Sequence, residues 1–315
     1  MNPTSNASPK RILMTGGTGY LGSNLIPMLL DRGCDVTVLK RSKSPTARIQ
    51  SMLDLISIVN IDEVPLHHVF EGYEFDVILH CATNYGRKNV DALQILEANL
   101  ILPVKLIELG VKWNVKHFIN TDTIIDKRIS SYSLSKSQFK DWLRLYAGGI
   151  DCINVALEHF YGPGDDESKF VSYIVKRLVT NESTIALTPG EQKRDFIYID
   201  DVVSAFEVIV DALCSSKPGY TEFEIGSNSL ISIKDLVEMV ARLADNKITE
   251  LRFGALPYRP NEIMESCVNT KSIIDLGWTC KTTLADGLSK TIEYERRDLI
   301  SKRRMGSNEN KEKER

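Results

Sequence analysis

Two side chains four residues apart, in the stretch Tyr132-Ser-Leu-Ser-Lys136, are the pair in this chain best suited to moving a proton. On a helix that spacing stacks them on one face, one turn apart. A free phenol titrates near ~10, too high for proton transfer at neutral pH, and an ammonium alongside favours the phenolate. Lowering that pKa by ~3 units requires about 4 kcal/mol of differential interaction. Upstream, Lys116-His-Phe-Ile-Asn-Thr121 is an apolar run ending in a hydroxyl that can hydrogen-bond the same substrate oxygen. A Tyr/Lys pair at this spacing is common on helices that do no chemistry, so the surrounding elements have to carry the argument.

The first of those elements is Ile12-Leu-Met-Thr-Gly16-Gly17-Thr18-Gly19-Tyr20-Leu21-Gly22. An apolar strand running into glycines and then into an amphipathic helix is a phosphate-binding turn. Gly16 permits the sharp turn, Gly19 lets backbone approach a diphosphate, and Gly22 lets the helix pack closely. The backbone of Tyr20 and Leu21 opens that helix and joins the same cofactor site. The next strand, Asp35 to Leu39, runs into Lys40-Arg41-Ser42-Lys43. An acid at that end would bind ribose hydroxyls, whereas cations and a hydroxyl suit a 2′-phosphate. The cofactor expected is therefore NADP(H), with NAD(H) second. Asn60 or Asp62, closing a third strand (57–61), is the candidate partner of the adenine amino group. Asp76 to Ala82 is a fourth strand whose small last residue lets a cofactor pass close. Helices are expected over 46–56 and 87–113, the second with a kink at Pro103, and Asn99 on it is placed at the cofactor. The cofactor set is thus Gly16, Gly19, Tyr20, Leu21, Gly22, Lys40, Arg41, Ser42, Asn60, Ala82, Asn99, Tyr132 and Lys136.

Strand and helix alternate this far, predicting an α/β fold, a doubly wound parallel sheet with ligands at the carboxyl ends of its strands. A sixth strand (151–156) leads into Glu158-His-Phe-Tyr-Gly-Pro-Gly164, read as the entry to a smaller C-terminal substrate-binding lobe. The expected division is residues 10–158 with returning segments near 196–226, then 159–195 and 227–298. In the lobe, 184–187 and 194–199 are expected as two strands about a turn, Ser232 as the N-cap of a helix, and a last helix from Leu284. Tails 1–9 and 301–315 are expected to be disordered.

Composition narrows the classes. A net charge of −3 argues against nucleic acid and acidic membranes, and no apolar run reaches the ~20 residues that span a bilayer. The six cysteines are scattered without a C-x-x-C pair, as expected of reduced thiols in the cytoplasm and not of a metal site.

Taken together, TGGTGYLG, Thr121, YSLSK, FYGPG, RDFIYIDDV and RPNE…LGW resemble the extended short-chain dehydrogenase/reductases, the NAD(P)-dependent epimerase/dehydratase family acting on nucleotide sugars. The resemblance implies a Rossmann domain and a catalytic set of Thr121, Tyr132 and Lys136. It also implies that Arg194 and Arg259 hold a nucleotide diphosphate, bidentate recognition that suits guanidinium. Thr83, Asp122 and His159 complete the substrate-binding set. Departures narrow the activity. The family's dehydratases read T-D-E where this chain reads Thr121-Asp122-Thr123, which removes the base needed for dehydration. Phe160, preceded by His159, replaces the Asn many relatives carry, and the segment between Thr121 and Tyr132 is short. FYGPGDD and TPGEQKRDFIYIDDVV resemble the CDP-abequose and CDP-paratose synthase group, implying an NADPH-dependent 4-ketoreductase of a CDP-activated 4-keto-deoxyhexose in O-antigen synthesis. An NAD-dependent epimerase, or a cofactor-binding module without catalysis, are the alternatives. A homodimer through helices near 87–113 and 132–146 is expected by analogy.

Overall fold

The structure is a computed structural model describing residues 10–87, 90–213 and 218–313. Its elements in chain order begin β1 (Arg11–Thr15), α1 (Tyr20–Asp31), β2 (Asp35–Lys40), a 3-10 stretch Ala47–Leu55, β3 (Ser57–Asn60), α2 (Leu66–Gly72) and β4 (Val77–His80). Then come α3 (Ala92–Leu96), a π-helical turn Glu97–Ile101, α4 (Leu102–Lys112), β5 (His117–Thr123), α5 (Ser131–Tyr146) and β6 (Asp151–Leu157). They continue with β7 (His159–Tyr161), α6 (Phe170–Val179), β8 (Thr184–Ala186), β9 (Lys193–Tyr198), α7 (Ile199–Ala212) and β10 (Tyr220–Ile225). The last are β11 (Leu230–Ser232), α8 (Ile233–Leu243), β12 (Glu250–Arg252), α9 (Lys271–Asp275) and α10 (Leu284–Lys313).

The chain divides into two units. The first comprises 1–158, 202–225 and 268–279; the second comprises 159–201, 226–267 and 280–315. In the first unit seven strands form one parallel sheet in the order β10-β6-β5-β4-β1-β2-β3. Its central strands are buried almost throughout, as a sheet covered on both faces requires, while β3 at the edge is exposed at Ser57 and Ile58. On one face Phe70, Ile78, Leu106, Phe118, Phe139 and Leu143 join a single apolar cluster. The strand order reverses between β1 and β4, and the carboxyl ends flanking that point are where such sheets bind ligands.

Several local expectations change. Residues 47–55 wind as a 3-10 helix, not an α-helix. Only Ile49 is buried there, so little apolar packing favours the α form. The helix expected from residue 87 starts at Ala92, where the Asp91 carboxylate caps the Leu93 N–H; positions 88–89 lie outside the described residues. Its irregularity precedes Pro103 and is not a kink at it. A proline has no N–H to return to Asn99 O, and one turn widens so that the Leu102 N–H reaches Glu97 O. In the second unit β8 and β9 do not pair with each other: β8 runs parallel to β12, and β9 lies between β7 and β11. The Ser232 cap is present, its hydroxyl accepting from the Asp235 N–H at 3.0 Å. In place of a disordered tail from residue 301, helix α10 continues to Lys313. The ion pair Lys302–Asp298 (2.6 Å) spans one turn as it passes that point. The leader 1–9 lies outside the described residues.

Candidate active site

The glycine turn is shaped by what it cannot accommodate. Gly16 has φ +71°, and a Cβ there would sit 2.5 Å from the backbone of Cys81 and Ala82 at the end of β4. At Gly22 a Cβ would fall on the Gly16 carbonyl oxygen and within 2.8 Å of the Gly17 Cα. Gly19 meets only the Gly16 oxygen, at 3.1 Å, and its amide closes the turn onto that oxygen at 2.9 Å. A cradle this tight, opening on the N-terminus of a twelve-residue helix, fits a dinucleotide diphosphate. Tyr20 and Leu21 open that helix, and their side chains are buried. Substituting Gly22 with alanine should therefore lower the melting temperature and weaken nicotinamide-cofactor binding at least tenfold. The atoms it meets are backbone and cannot swing aside. Calorimetric titration with cofactor checks this, and unchanged affinity would remove the close-packing argument.

Beside this turn Thr15 Oγ1 meets His80 Nδ1 (2.8 Å) and accepts from the Ala82 N–H (3.2 Å), tying the ends of β1 and β4 together. His80 is fully buried, and burial, with Lys136 nearby, holds its pKa well below the ordinary imidazole value. Burial likewise pushes the Cys81 thiol up to about 12, so it is inert.

Tyr132 and Lys136 sit in the first turns of α5, and the helix start is fixed by a reciprocal cap. Ser130 Oγ accepts from the Ser133 N–H, and Ser133 Oγ from the Ser130 N–H, each at 3.2 Å. Lys136 is 2% exposed and its Nζ donates to the Thr121 carbonyl at 2.5 Å. Burial lowers its pKa, and the Asp122 charge opposes that fall. The Thr121 hydroxyl is buried and donates to the His80 carbonyl (3.1 Å). The structure corrects the expectation of a phenol made acidic by the ammonium. Tyr132 is pushed well above the ordinary phenol range, first by burial, then by Tyr85 and Asp122, while the Thr123 hydrogen bond and Arg87 pull it down.

Asp122 does not belong to the substrate set. Side chains alternate along a strand, so Asp122 shares the face of Phe118 and Asn120, opposite to Thr121 and Thr123. Phe118 packs on Phe139 of α5, which places that row beneath the helix. There Asp122 accepts from Asn154 Nδ2 (2.9 Å) and from the Thr123 N–H (2.8 Å), and Asn120 Nδ2 donates to Asn154 Oδ1 (2.7 Å). Its part is to hold charge under Lys136. Asn99, expected at the cofactor, is bonded throughout to the protein and positions neighbouring backbone. Fully buried in the π-turn, it accepts from the Asn84 N–H (2.7 Å) and from Thr83 Oγ1 (3.3 Å), and donates to Asn84 O (2.9 Å) and Ser135 Oγ (3.0 Å). It thereby fastens the loop after β4, including Thr83, to α5. That loop carries Tyr85, whose ring lies 5.0 Å from that of Tyr132 with the Arg87 guanidinium over it at 4.9 Å.

At the end of β2, Lys40 Nζ donates to Ser42 O (3.1 Å) and Asn60 Oδ1 (3.2 Å), and the Asn60 amide donates to Glu63 (2.8 Å). Arg41 is exposed beside them. Among the second unit's residues, Arg194 pairs with Glu262 at 2.5 Å, with side chains only 12% and 17% exposed. Arg259 lies exposed at the start of the turn that ends at Glu262, and the half-buried His159 ring packs on Phe196 at 5.6 Å. Sequence reasoning missed Thr15, Tyr85 and Asn154. The one available signal was polar residues at even spacing, Asn120, Asp122 and Asn154, inside strands otherwise apolar.

Residues 12–226 match the model of the NAD dependent epimerase/dehydratase family. The chain belongs to that family. It is 32% identical to the CDP-abequose synthase of Salmonella typhimurium over 297 residues, 90% of this chain and 97% of that protein. It is 24% identical to the dTDP-D-glucose 4,6-dehydratase of Mus musculus, over 92% of this chain and 90% of that one. Among solved structures, the UDP-glucose 4-epimerase of Thermotoga maritima bound to UDP-glucose superposes with a TM-score of 0.80 at 23% identity, covering 92% of this chain and 99% of that one. The Thermus thermophilus UDP-glucose 4-epimerase complex with NAD gives 0.78 at 21%, over 91% and 99%. Both share the fold. As a member of this epimerase/dehydratase family the chain is an NAD(P)-dependent enzyme, and no helix among its described residues is long and apolar enough to cross a membrane.

Proposed function

We propose that this protein is an NADPH-dependent reductase of the 4-ketone of a nucleotide-activated deoxyhexose, with a CDP sugar of O-antigen synthesis as the favoured substrate. The observation that carries the reading is a half-buried proton donor whose hydrogen-bonding neighbour is a threonine and not a carboxylate base. Tyr132 is held protonated, and the position where the family's dehydratases keep a glutamate is Thr123, hydrogen-bonded to that phenol. Kinship over nearly the full length with a CDP-abequose synthase supports the substrate class, and the Lys40-Arg41-Ser42-Lys43 end of β2 supports NADPH.

Gly16, Gly19, Tyr20, Leu21 and Gly22 would hold the cofactor diphosphate, with Ala82 lining the passage and Lys40, Arg41 and Ser42 at the adenosine end. Bound there, the reduced nicotinamide supplies the hydride. Tyr132 Oη donates its proton to the sugar's C4 oxygen as negative charge develops on it. The Lys136 ammonium, poised on the Thr121 carbonyl, stabilises the phenolate left behind. Thr121 orients the same oxygen once its hydroxyl turns from His80 O. By the family resemblance Arg194, Arg259 and His159 would hold the nucleotide, Arg194 exchanging Glu262 for phosphate oxygens.

The test is loss of absorbance at 340 nm when NADPH, against NADH, is mixed with CDP- and dTDP-4-keto-deoxyhexoses, with the product identified by NMR. Oxidation of NADPH with a 4-hydroxy sugar as product supports the reading. Enzyme that retains NAD⁺ through gel filtration and interconverts C4 epimers without net oxidation would replace it with the epimerase. The reading extends to a homodimer through α4 and α5, where Leu134, Trp142 and Leu145 are exposed along one helix. Light scattering should give about twice the 35.5 kDa chain, and Leu145→Lys should return the monomer mass.

A further inference from the structure

Strands β2 and β3 run parallel with Lys40 opposite Asn60, and the ladder continues one step beyond, Ile61 N–H to Lys40 O at 2.9 Å. The two chains therefore leave the sheet side by side, and Asp62 arrives at Ser42. Its carboxylate accepts from both donors of that residue, the backbone N–H on Oδ1 and the hydroxyl on Oδ2, each at 2.7 Å. Two donors converge on one anion, with Lys40 nearby and Arg41 and Lys43 flanking Ser42 in the chain, a small anion-binding site. A carboxylate of the protein itself already fills it. Asp62 is held as the anion at neutral pH, since the Ser42 hydroxyl and amide keep its carboxyl below the usual range.

We infer that Asp62 is a cofactor-selectivity residue, an intramolecular competitor that a 2′-phosphate must displace from Ser42 and a 2′-hydroxyl need not. This rests on the reading that the end of β2 receives the adenosine ribose. A phosphomonoester carrying about −1.5 to −2 charges cannot share two donors with a carboxylate without repulsion. The carboxylate therefore costs affinity for NADPH specifically and narrows the preference that the three cations create. Solvent screens the site, so the effect is moderate.

The experiment is calorimetric titration of wild type, Asp62→Asn and Ser42→Ala with NADPH, NADH, adenosine 2′,5′-bisphosphate and 5′-AMP, all without sugar substrate. Asp62→Asn should raise the NADPH-to-NADH affinity ratio about two- to fivefold, and the ratio for the two adenosine phosphates by a similar factor. Ser42→Ala should lower both ratios. An Asp62→Asn enzyme whose ratios stay within experimental error of wild type, or that weakens all four ligands alike as an adenine contact would, overturns the inference. Wild type binding NADH more tightly than NADPH would overturn the cofactor reading. The shift in ratio on Asp62→Asn is still read against that baseline, so the two failures are distinct.

Discussion

Tyr132→Phe should reduce kcat for ketone reduction by about 10²- to 10⁴-fold, the usual contribution of a positioned acid, while KM for the nucleotide sugar changes little. On a transition-state scale that is about 3–5 kcal/mol. The ring keeps its packing on Tyr85, so thermal melting should match wild type. The pH dependence follows from the sign of the shift. A donor works in its protonated form, and burial has raised this one's pKa. Reduction should therefore be level across neutral pH and fall only on the alkaline side, where the phenol ionises. Turnover of the Phe variant within threefold of wild type would place the proton elsewhere. A rate that rises with pH through neutrality would instead assign a deprotonated group.

Lys136→Met separates chemistry from stability. The ammonium is 2% exposed and reaches one carbonyl, Thr121 O. Taking the ammonium out of water costs several kcal/mol, but removing it alone leaves the buried Asp122 carboxylate without the cation near it, and that loss outweighs the relief. Asp122 retains its own bonds from Asn154 and the Thr123 amide. The expected result is a folded protein whose melting temperature falls by a few degrees, together with a loss of at least about 100-fold in kcat, because no cation remains to stabilise the phenolate. Circular-dichroism melting and single-turnover kinetics check the two halves. A collapse in stability would make Lys136 a strut for β5 and not a participant in catalysis.

The polar lines running from the site explain why such changes should stay local. Asn154 links Asp122 to Glu222 on β10 (3.4 Å), and Glu222 accepts from Lys140 (2.9 Å), one turn beyond Lys136 on α5. On the other side, Asn99 fastens the Thr83–Asn84 loop to Ser135. The helix bearing the acid is thus held at two points that do not involve Tyr132 itself.

The architecture was legible in the linear chain because its signals are local. Apolar runs four to seven residues long ended by glycine or polar turns, the glycine triplet at 16, 19 and 22, and Tyr132 one helical turn before Lys136 depend on near neighbours alone. What tertiary structure decided depends on partners distant in sequence. Asp122 stands next to Thr121, yet strand alternation and Asn154, thirty-two residues on, turn it under α5 and away from the substrate set. Burial, with Tyr85 and Asp122 close by, raises the Tyr132 phenol, where the Lys136 spacing by itself pointed to a softened one. The same holds for Asp62, twenty residues from Ser42, which parallel register alone brings onto it. Side-chain type and spacing are properties of the chain. Desolvation and the choice of hydrogen-bond partner belong to the packed molecule, because each is set by whatever the fold brings within a few ångströms.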